Sequence, residues 1–174
     1  GLNAAEIGSV IHFVMQHLDF KRVAAVDDIT FQVGEMVFNE LLTEQQAKSV
    51  DVQKIYGLLR SSLGTRMLKS AGVYREVPFN IEVSSTEFNK GLEDAYRDET
   101  VLLQGVIDCY FEEEDGIVLL DYKTDYVPDS VSEALKERYR LQIEYYATAL
   151  EQLTGKRVKE KYIYLLWNGE VMRY

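Results

Sequence analysis

The 174-residue chain predicts an α/β fold, a mixed central β-sheet flanked by helices. Three observations point there. An amphipathic helical stripe opens the chain, apolar β-rich segments begin at residue 74, and a long helical pattern separates the last two of those segments from the rest. With 47% hydrophobic residues and two prolines, a chain of this length is one globular domain able to bury a sizeable core. Residues 1–70 are its helical part and 71–174 carry the sheet and the candidate site, within one unit rather than as separate domains.

Ala5 to about Leu18 reads as the first helix, with Ile7, Val10, Ile11, Val14 and Leu18 on one stripe. His12 lies at the flank of that stripe. Gly8, one turn earlier, removes a side chain beside the imidazole and permits close approach of a metal, a strand or a phosphate. Residues 27–70 read as several short helices. Thr43 with Gln46 forms a capping-box pattern, Asp51 is a candidate N-cap, and Gly57 and Gly64 mark interruptions. The apolar stripes here are core, with Arg66 or Lys69 as candidates for contact with a phosphate backbone.

Tyr74 to about Ser84 alternates as a strand with Glu76 near its start, and the polar stretch from Thr86 to Thr100 reads as a loop or short helix. Val101–Glu112 and Ile117–Thr124 are the next strands. Ser130 is placed to cap a helix, broken near Glu137, that runs to about Leu153 and ends at Gly155. Leu141, Tyr145, Thr148 and Leu153 lie near one side of it, while Gln142 and Tyr146, four apart, share a face. Val158–Trp167 is a further strand, Asn168-Gly169 a type I′ turn, and Glu170–Tyr174 the returning strand. Trp167 is expected to pack rather than stack on a base.

Chemistry concentrates in the hairpin from Gln104 to Asp125. Side chains alternate along a strand, so Asp121 and Lys123 point the same way. A two-residue Asp115-Gly116 turn sets Asp108 opposite Lys123; a four-residue turn over Glu113 to Gly116 sets it opposite Asp121. Either register places two carboxylates and one ammonium on one face. Neighbours Val106, Ile107, Phe111, Val118, Leu119 and Leu120 are apolar on both faces, which marks interior strands, and charges there are costly without partners. Two close carboxylates repel unless a cation or proton intervenes, and oxygen ligands favour a hard ion, Mg²⁺ with Mn²⁺ as substitute, over zinc. Such a site suits phosphodiester hydrolysis.

Taken in chain order, these residues give the sequence a resemblance to the RecB-type branch of the PD-(D/E)xK nucleases. That branch shows GxxxH, an acid in a strand, G-[IV]-x-D, D-Y-K and QxxxY. They match Gly8 with His12, Glu76, Gly105 to Asp108, Asp121-Tyr122-Lys123, and Gln142 with Tyr146, in that order. The nearest likeness is the C-terminal nuclease domain of AddA-type (RexA-type) helicase–nuclease chains, from about Ala5 to the C-terminus. The resemblance implies a restriction-endonuclease-like sheet and metal-dependent DNA cleavage. Asp108, Asp121 and the Tyr122 carbonyl would hold Mg²⁺ with His12 completing or supporting the site. Lys123 would position and help deprotonate the attacking water, Glu76 would assist a water or second metal, and Gln142 with Tyr146 would hold the strand. It further implies a helicase motor that delivers single-stranded DNA, a partner subunit of AddB type (RexB type), and a role in recombinational repair at break ends. Gly1 in place of an initiator methionine fits a piece of such a longer chain.

Bulk properties narrow the rest. One cysteine, Cys109, excludes an intramolecular disulfide, suits a reducing cytoplasm, and cannot supply the four-cysteine iron–sulfur cluster of some RecB-type relatives. There is no GxxxxGK[ST] motif and so no ATP site in this chain; no apolar run reaches membrane-spanning length and no signal peptide appears. The net charge of −10 opposes stand-alone DNA binding, and residues 76–115 account for all of it, with twelve acids against Lys90 and Arg97. DNA is therefore expected to be delivered by a neighbouring module. Two rival readings are a non-catalytic module of the same fold that binds DNA or a partner subunit, and hydrolysis of RNA or a small phosphoester.

Overall fold

The computed structural model describes residues 1–84, 99–124, 126 and 132–174. Asn3 opens α1 (Ala4–His17) with a reciprocal cap: its Oδ1 accepts from Glu6 N at 3.0 Å, and Glu6 Oε2 accepts from Asn3 N at 2.7 Å. Helices α2 (Val26–Phe38), α3 (Glu44–Lys48), α4 (Val52–Arg60) and α5 (Ser62–Lys69) follow. Thr43 and Asp51 cap α3 and α4 as expected. Gly57 and Gly64 do not interrupt helices, contrary to expectation. The break falls at Ser61, which closes α4 and caps α5 through Gly64 N at 3.0 Å. Gly64 serves packing instead: a Cβ there would lie 2.0 Å from Leu58 O, so a side chain would force the two helices apart.

Strands β1 (Val73–Ser84), β2 (Thr100–Glu113), β3 (Gly116–Lys123), β4 (Val158–Leu165) and β5 (Val171–Arg173) form one sheet in that order. All neighbours are antiparallel except β3 and β4. A parallel pair needs a long crossover, which contains α6 (Glu133–Thr154). Ser132 caps this helix, and it runs unbroken past Glu137 to Gly155 at φ +66°. The expected cap Ser130, the loop over 86–98 and Asp125 lie outside the described residues. After β4 the turn is not type I′, because Gly169 has positive φ and Asn168 does not; Asn168 Oδ1 instead accepts from Glu170 N at 3.0 Å.

Helices cover both faces of the sheet. Cys109, Phe111, Val118, Leu120 and Tyr122 face the α1–α5 layer, packed with Val14, Leu18, Ile29 and Leu58. Ile107, Tyr110, Ile117, Leu119, Ile163 and Leu165 face α6, packed with Ile143, Ala147 and Leu150. Each such aliphatic side chain contributes about 1.5–3 kcal/mol by burial. On α6 the buried side is Tyr139, Ile143, Ala147 and Leu150, while Leu141 and Leu153 turn to solvent.

Arg66 is not available to a phosphate backbone. Its guanidinium meets Glu113 through Nε and Nη2, both at 2.9 Å, and Glu160 through Nη1 at 2.8 Å and Nη2 at 3.1 Å. This double bidentate clamp ties α5 to the hairpin end of β2 and to β4. Trp167 is half exposed rather than packed inside, with the Tyr126 ring at 4.5 Å and Lys54 Nζ 4.2 Å from its centroid.

Candidate metal-dependent active site

The hairpin register decides where the acids stand. Glu113 pairs with Gly116 and Cys109 with Leu120, so the tight loop is Glu114-Asp115. The same register carried one step further sets Asp108 across from Asp121. Gly116 takes φ +145°, and a Cβ there would meet Arg157 O at 2.7 Å, so this corner requires glycine. Of the two registers open to the sequence, the one pairing the carboxylates is formed.

A second device lies between β1 and β2. Val73 packs with the α1 side of the sheet, and Arg75 Nη1 donates to Met15 O and Leu18 O at 2.8 and 2.6 Å. Past Glu76 the odd residues Phe79, Ile81 and Val83 belong to the α6 side. β2 changes in the same way at Asp108: Cys109 and Phe111 face α1, Ile107 faces α6. The pairing register does not slip, since Arg75 pairs with Cys109 and Val77 with Ile107. Glu76 sits at φ +50°, a conformation that costs a non-glycine residue about 1–3 kcal/mol. Both strands thus rotate at one matched pair of acids and bring both carboxylates to the His12 side.

His12 Nδ1 lies 3.2 Å from Asp108 Oδ1 and 3.3 Å from Glu76 Oε1, and these three side chains offer ligand atoms within 4.8 Å of one another. Asp108 Oδ2 accepts from Tyr122 N at 3.1 Å, and the Tyr122 ring lies against the imidazole with centroids 5.0 Å apart. Gly8 explains how α1 comes so near. A Cβ at this position would stand 2.9 Å from Thr124 Oγ1 at the end of β3, so the bare glycine lets helix and strand meet.

Asp121 stands beside that trio and turns toward α6. Lys123 Nζ lies 2.8 Å from Asp121 Oδ2, an ion pair inside the buried site. Lys123 Nζ donates to Gln142 Oε1 at 2.7 Å, and Gln142 Nε2 donates to Tyr146 OH at 2.9 Å. Gly105 keeps this side open: a Cβ would fall 2.8 Å from the Phe79 ring, which packs edge-on against Tyr146. All eight residues singled out from the sequence therefore gather at one end of the sheet. One that sequence reasoning missed is Tyr139, whose buried ring lies 5.1 Å from Lys123 Nζ; its place one turn before Gln142 was the available signal.

Electrostatics follow from crowding acids away from water. Burial first, then Asp108, push Asp121 above its ordinary range against the pull of Lys123. Burial and Asp108 likewise raise Glu76. Burial works to lower His12, but Asp108 and Glu76 outweigh it and hold the imidazole above its ordinary value. Lys123 is the same: burial opposes its charge, and Asp121 and Asp108 prevail and hold it above its ordinary value. Cys109 is inert, its thiol pushed up to about 12 by full burial. Crowded carboxylates and an adjacent imidazole, with ligand atoms of His12, Glu76 and Asp108 within 4.8 Å of one another, fit a hard divalent cation.

The cleft on the α1 side, about 520 Å³, is lined by small residues Ala4, Ala5, Gly8 and Ser9 together with His12 and Glu76. No helix among the described residues is long and apolar enough to cross a membrane.

Comparison with known proteins identifies the family. The model of the PD-(D/E)XK nuclease superfamily matches residues 1–171. An ATP-dependent helicase/nuclease subunit from Acetivibrio thermocellus is 58% identical over 175 residues, covering 100% of this chain and 14% of that protein. Its counterpart from Ruminiclostridium cellulolyticum is 59% identical over 174 residues, covering 99% and 14%. The solved crystal structure of SSO0001 aligns over 98% of this chain and 74% of its own, with TM-score 0.41 and 11% identity. The chain thus spans about 14% of the length of the curated relatives it matches. With a family match over nearly its whole length and relatives of 58–59% identity, the chain belongs to the PD-(D/E)XK nuclease superfamily.

Proposed function

We propose that this chain is a Mg²⁺-dependent deoxyribonuclease domain that hydrolyses DNA phosphodiester bonds. The observation that carries the reading is the convergence of Asp108 and Asp121, 7% and 2% exposed, beside Lys123, whose Nζ lies 2.8 Å from Asp121 Oδ2. Asp108, Asp121, His12 and the Tyr122 carbonyl would hold the ion, with Glu76 close enough to join or replace one of them. When bound, the ion supplies Lewis acidity toward the phosphoryl oxygen and the attacking water.

The chain's own residues do the rest. Lys123, held between Asp121 and Gln142, would position the attacking water, help deprotonate it and steady negative charge on the phosphate. Gln142 fixes the ammonium from the α6 side and hands its second hydrogen bond to Tyr146, giving two neutral groups toward the sugar–phosphate chain. Glu76, raised by burial and Asp108 and 3.3 Å from His12 Nδ1, is placed to assist a water or a second metal.

The longer relatives support placing the domain in an AddAB/RexAB-type helicase–nuclease of the cytoplasm, fed with single-stranded DNA by a motor and joined to a partner of AddB type (RexB type), in recombinational repair of break ends. The acidic surface agrees with delivered rather than captured substrate. The test is cleavage of a labelled single-stranded oligonucleotide in Mg²⁺ by the wild-type chain and by Lys123→Ala and Asp121→Ala. Each variant should lose about 10²–10⁴-fold in rate while keeping its circular dichroism spectrum. Unchanged cleavage by either folded variant would sink the catalytic assignment, and binding without cleavage by the wild type would favour a non-catalytic module.

A further inference from the structure

A second groove, about 390 Å³, opens on the opposite side of the catalytic cluster from the small-residue cleft, between α6 and the paired strands β1 and β2. Gln142 and Tyr146 form its inner end and also connect to Lys123, so the groove is continuous with the candidate site. Arg138, one helical turn before Gln142, stands at its outer part, and Phe79 and Leu103 provide an apolar wall. Among the described residues Arg138 makes no ion pair, whereas Lys136 and Arg140 on either side of it are held by Glu133 and Glu137. It lies instead against the Tyr139 ring, whose centroid is 5.4 Å from the guanidinium carbon. Lys123 and Arg138 both approach the Tyr139 ring, at 5.1 and 5.4 Å from its centroid, and guanidinium is the side chain best matched to phosphate.

We infer that this groove seats the nucleotide next to the cleaved bond, with Arg138 binding the phosphate adjacent to the scissile one and the Phe79–Leu103 wall taking the base by packing. The inference rests on the nuclease reading and extends it to a substrate subsite. The step from Gln142 to Arg138 along α6 is about 6 Å for four residues, the scale of one nucleotide step in an extended strand. Packing on an apolar wall is indifferent to base identity, so the subsite is expected to be sequence-tolerant. Arg138 is a positioning residue for the strand.

The test uses the 174-residue chain, whose sheet is cored on both faces, and single-stranded oligonucleotides in which one phosphate at a time is replaced by a neutral methylphosphonate. Arg138→Ala should raise KM by about tenfold with kcat within about twofold, and Arg138→Lys should restore most of the loss. One methylphosphonate adjacent to the scissile bond should raise KM for the wild type and leave Arg138→Ala unaffected. In fluorescence anisotropy without metal, Arg138→Ala should bind more weakly and lower the salt-dependence slope by about one. An unchanged KM and slope, or an equal methylphosphonate penalty in both proteins, would overturn the subsite. Absence of cleavage by the wild type would count against the nuclease reading alone, and the anisotropy arm would still decide the groove.

Discussion

Glu76 and Asp108 stand at matched positions of adjacent antiparallel strands, and both strands exchange the faces they present at this pair. Without that rotation the two acids would follow their neighbours' alternation and could not both meet His12 Nδ1, at 3.3 and 3.2 Å. The arrangement has a cost, because Glu76 sits at φ +50° and its charge is crowded by Asp108. Glu76→Gly should therefore raise the melting temperature of the metal-free protein. Relief of about 1 kcal/mol of backbone strain corresponds to about 2–4 °C, read by scanning calorimetry, while nuclease rate falls. A lower melting temperature would show that Glu76 is held by favourable contacts instead.

Gly8 and Thr124 make the second close approach. Gly8→Ala would place a methyl 2.9 Å from Thr124 Oγ1 and push α1, with His12, off the end of β3. Stability should fall by about 1 kcal/mol and cleavage should drop several-fold. Thr124→Ala in the same chain should recover both, a double-mutant cycle that a remote effect of helix propensity would not produce.

The acids predict a metal response. Added Mg²⁺ or Mn²⁺ should raise the wild-type melting point, as any ligand of the native state does, and EDTA should reverse it. Asp108→Asn or His12→Ala should lose most of the shift. Crystals soaked in Mn²⁺ should show anomalous density among His12, Asp108 and Asp121. Equal shifts in wild type and Asp108→Asn would place the ion elsewhere.

Acid stability should depend on the Arg66 clamp. Glu113 is held down to about 2, first by Arg66 and then by Lys159, and Glu160 is lowered by Arg66 and Tyr162. A carboxylate with a depressed folded-state pKa contributes stability that is present above its unfolded value and lost as pH falls through the folded one. The urea midpoint should thus decline from about pH 4.5 downward toward 2. Arg66→Met should decline less over that window while starting lower at neutral pH. Parallel curves would mean that the clamp contributes nothing to folding.

Hydrophobic period, caps and turn residues are local properties of the chain, and they set the order and type of the elements described. Asn3, Thr43, Asp51 and Gly155 end or begin helices where their chemistry says they should. The sequence also singled out His12, Glu76, Asp108, Asp121, Tyr122, Lys123, Gln142 and Tyr146. How they meet depends on long-range packing. Two hairpin registers were open, and β4 packing against Gly116 accompanies the one that pairs Asp108 with Asp121. The face exchange at Glu76 was invisible, since a residue at positive φ leaves no periodic mark. Gly64 read as an interruption because a missing side chain looks the same whether it ends a helix or admits a neighbour. Arg66 read as a free cation because Glu113 and Glu160 lie 47 and 94 residues away along the chain. Which groups Lys123 would meet was likewise open, and the fold brings it to both Asp121 and Gln142. Local pattern specifies which groups are present; charge, strain and reach depend on distances that only the folded chain sets.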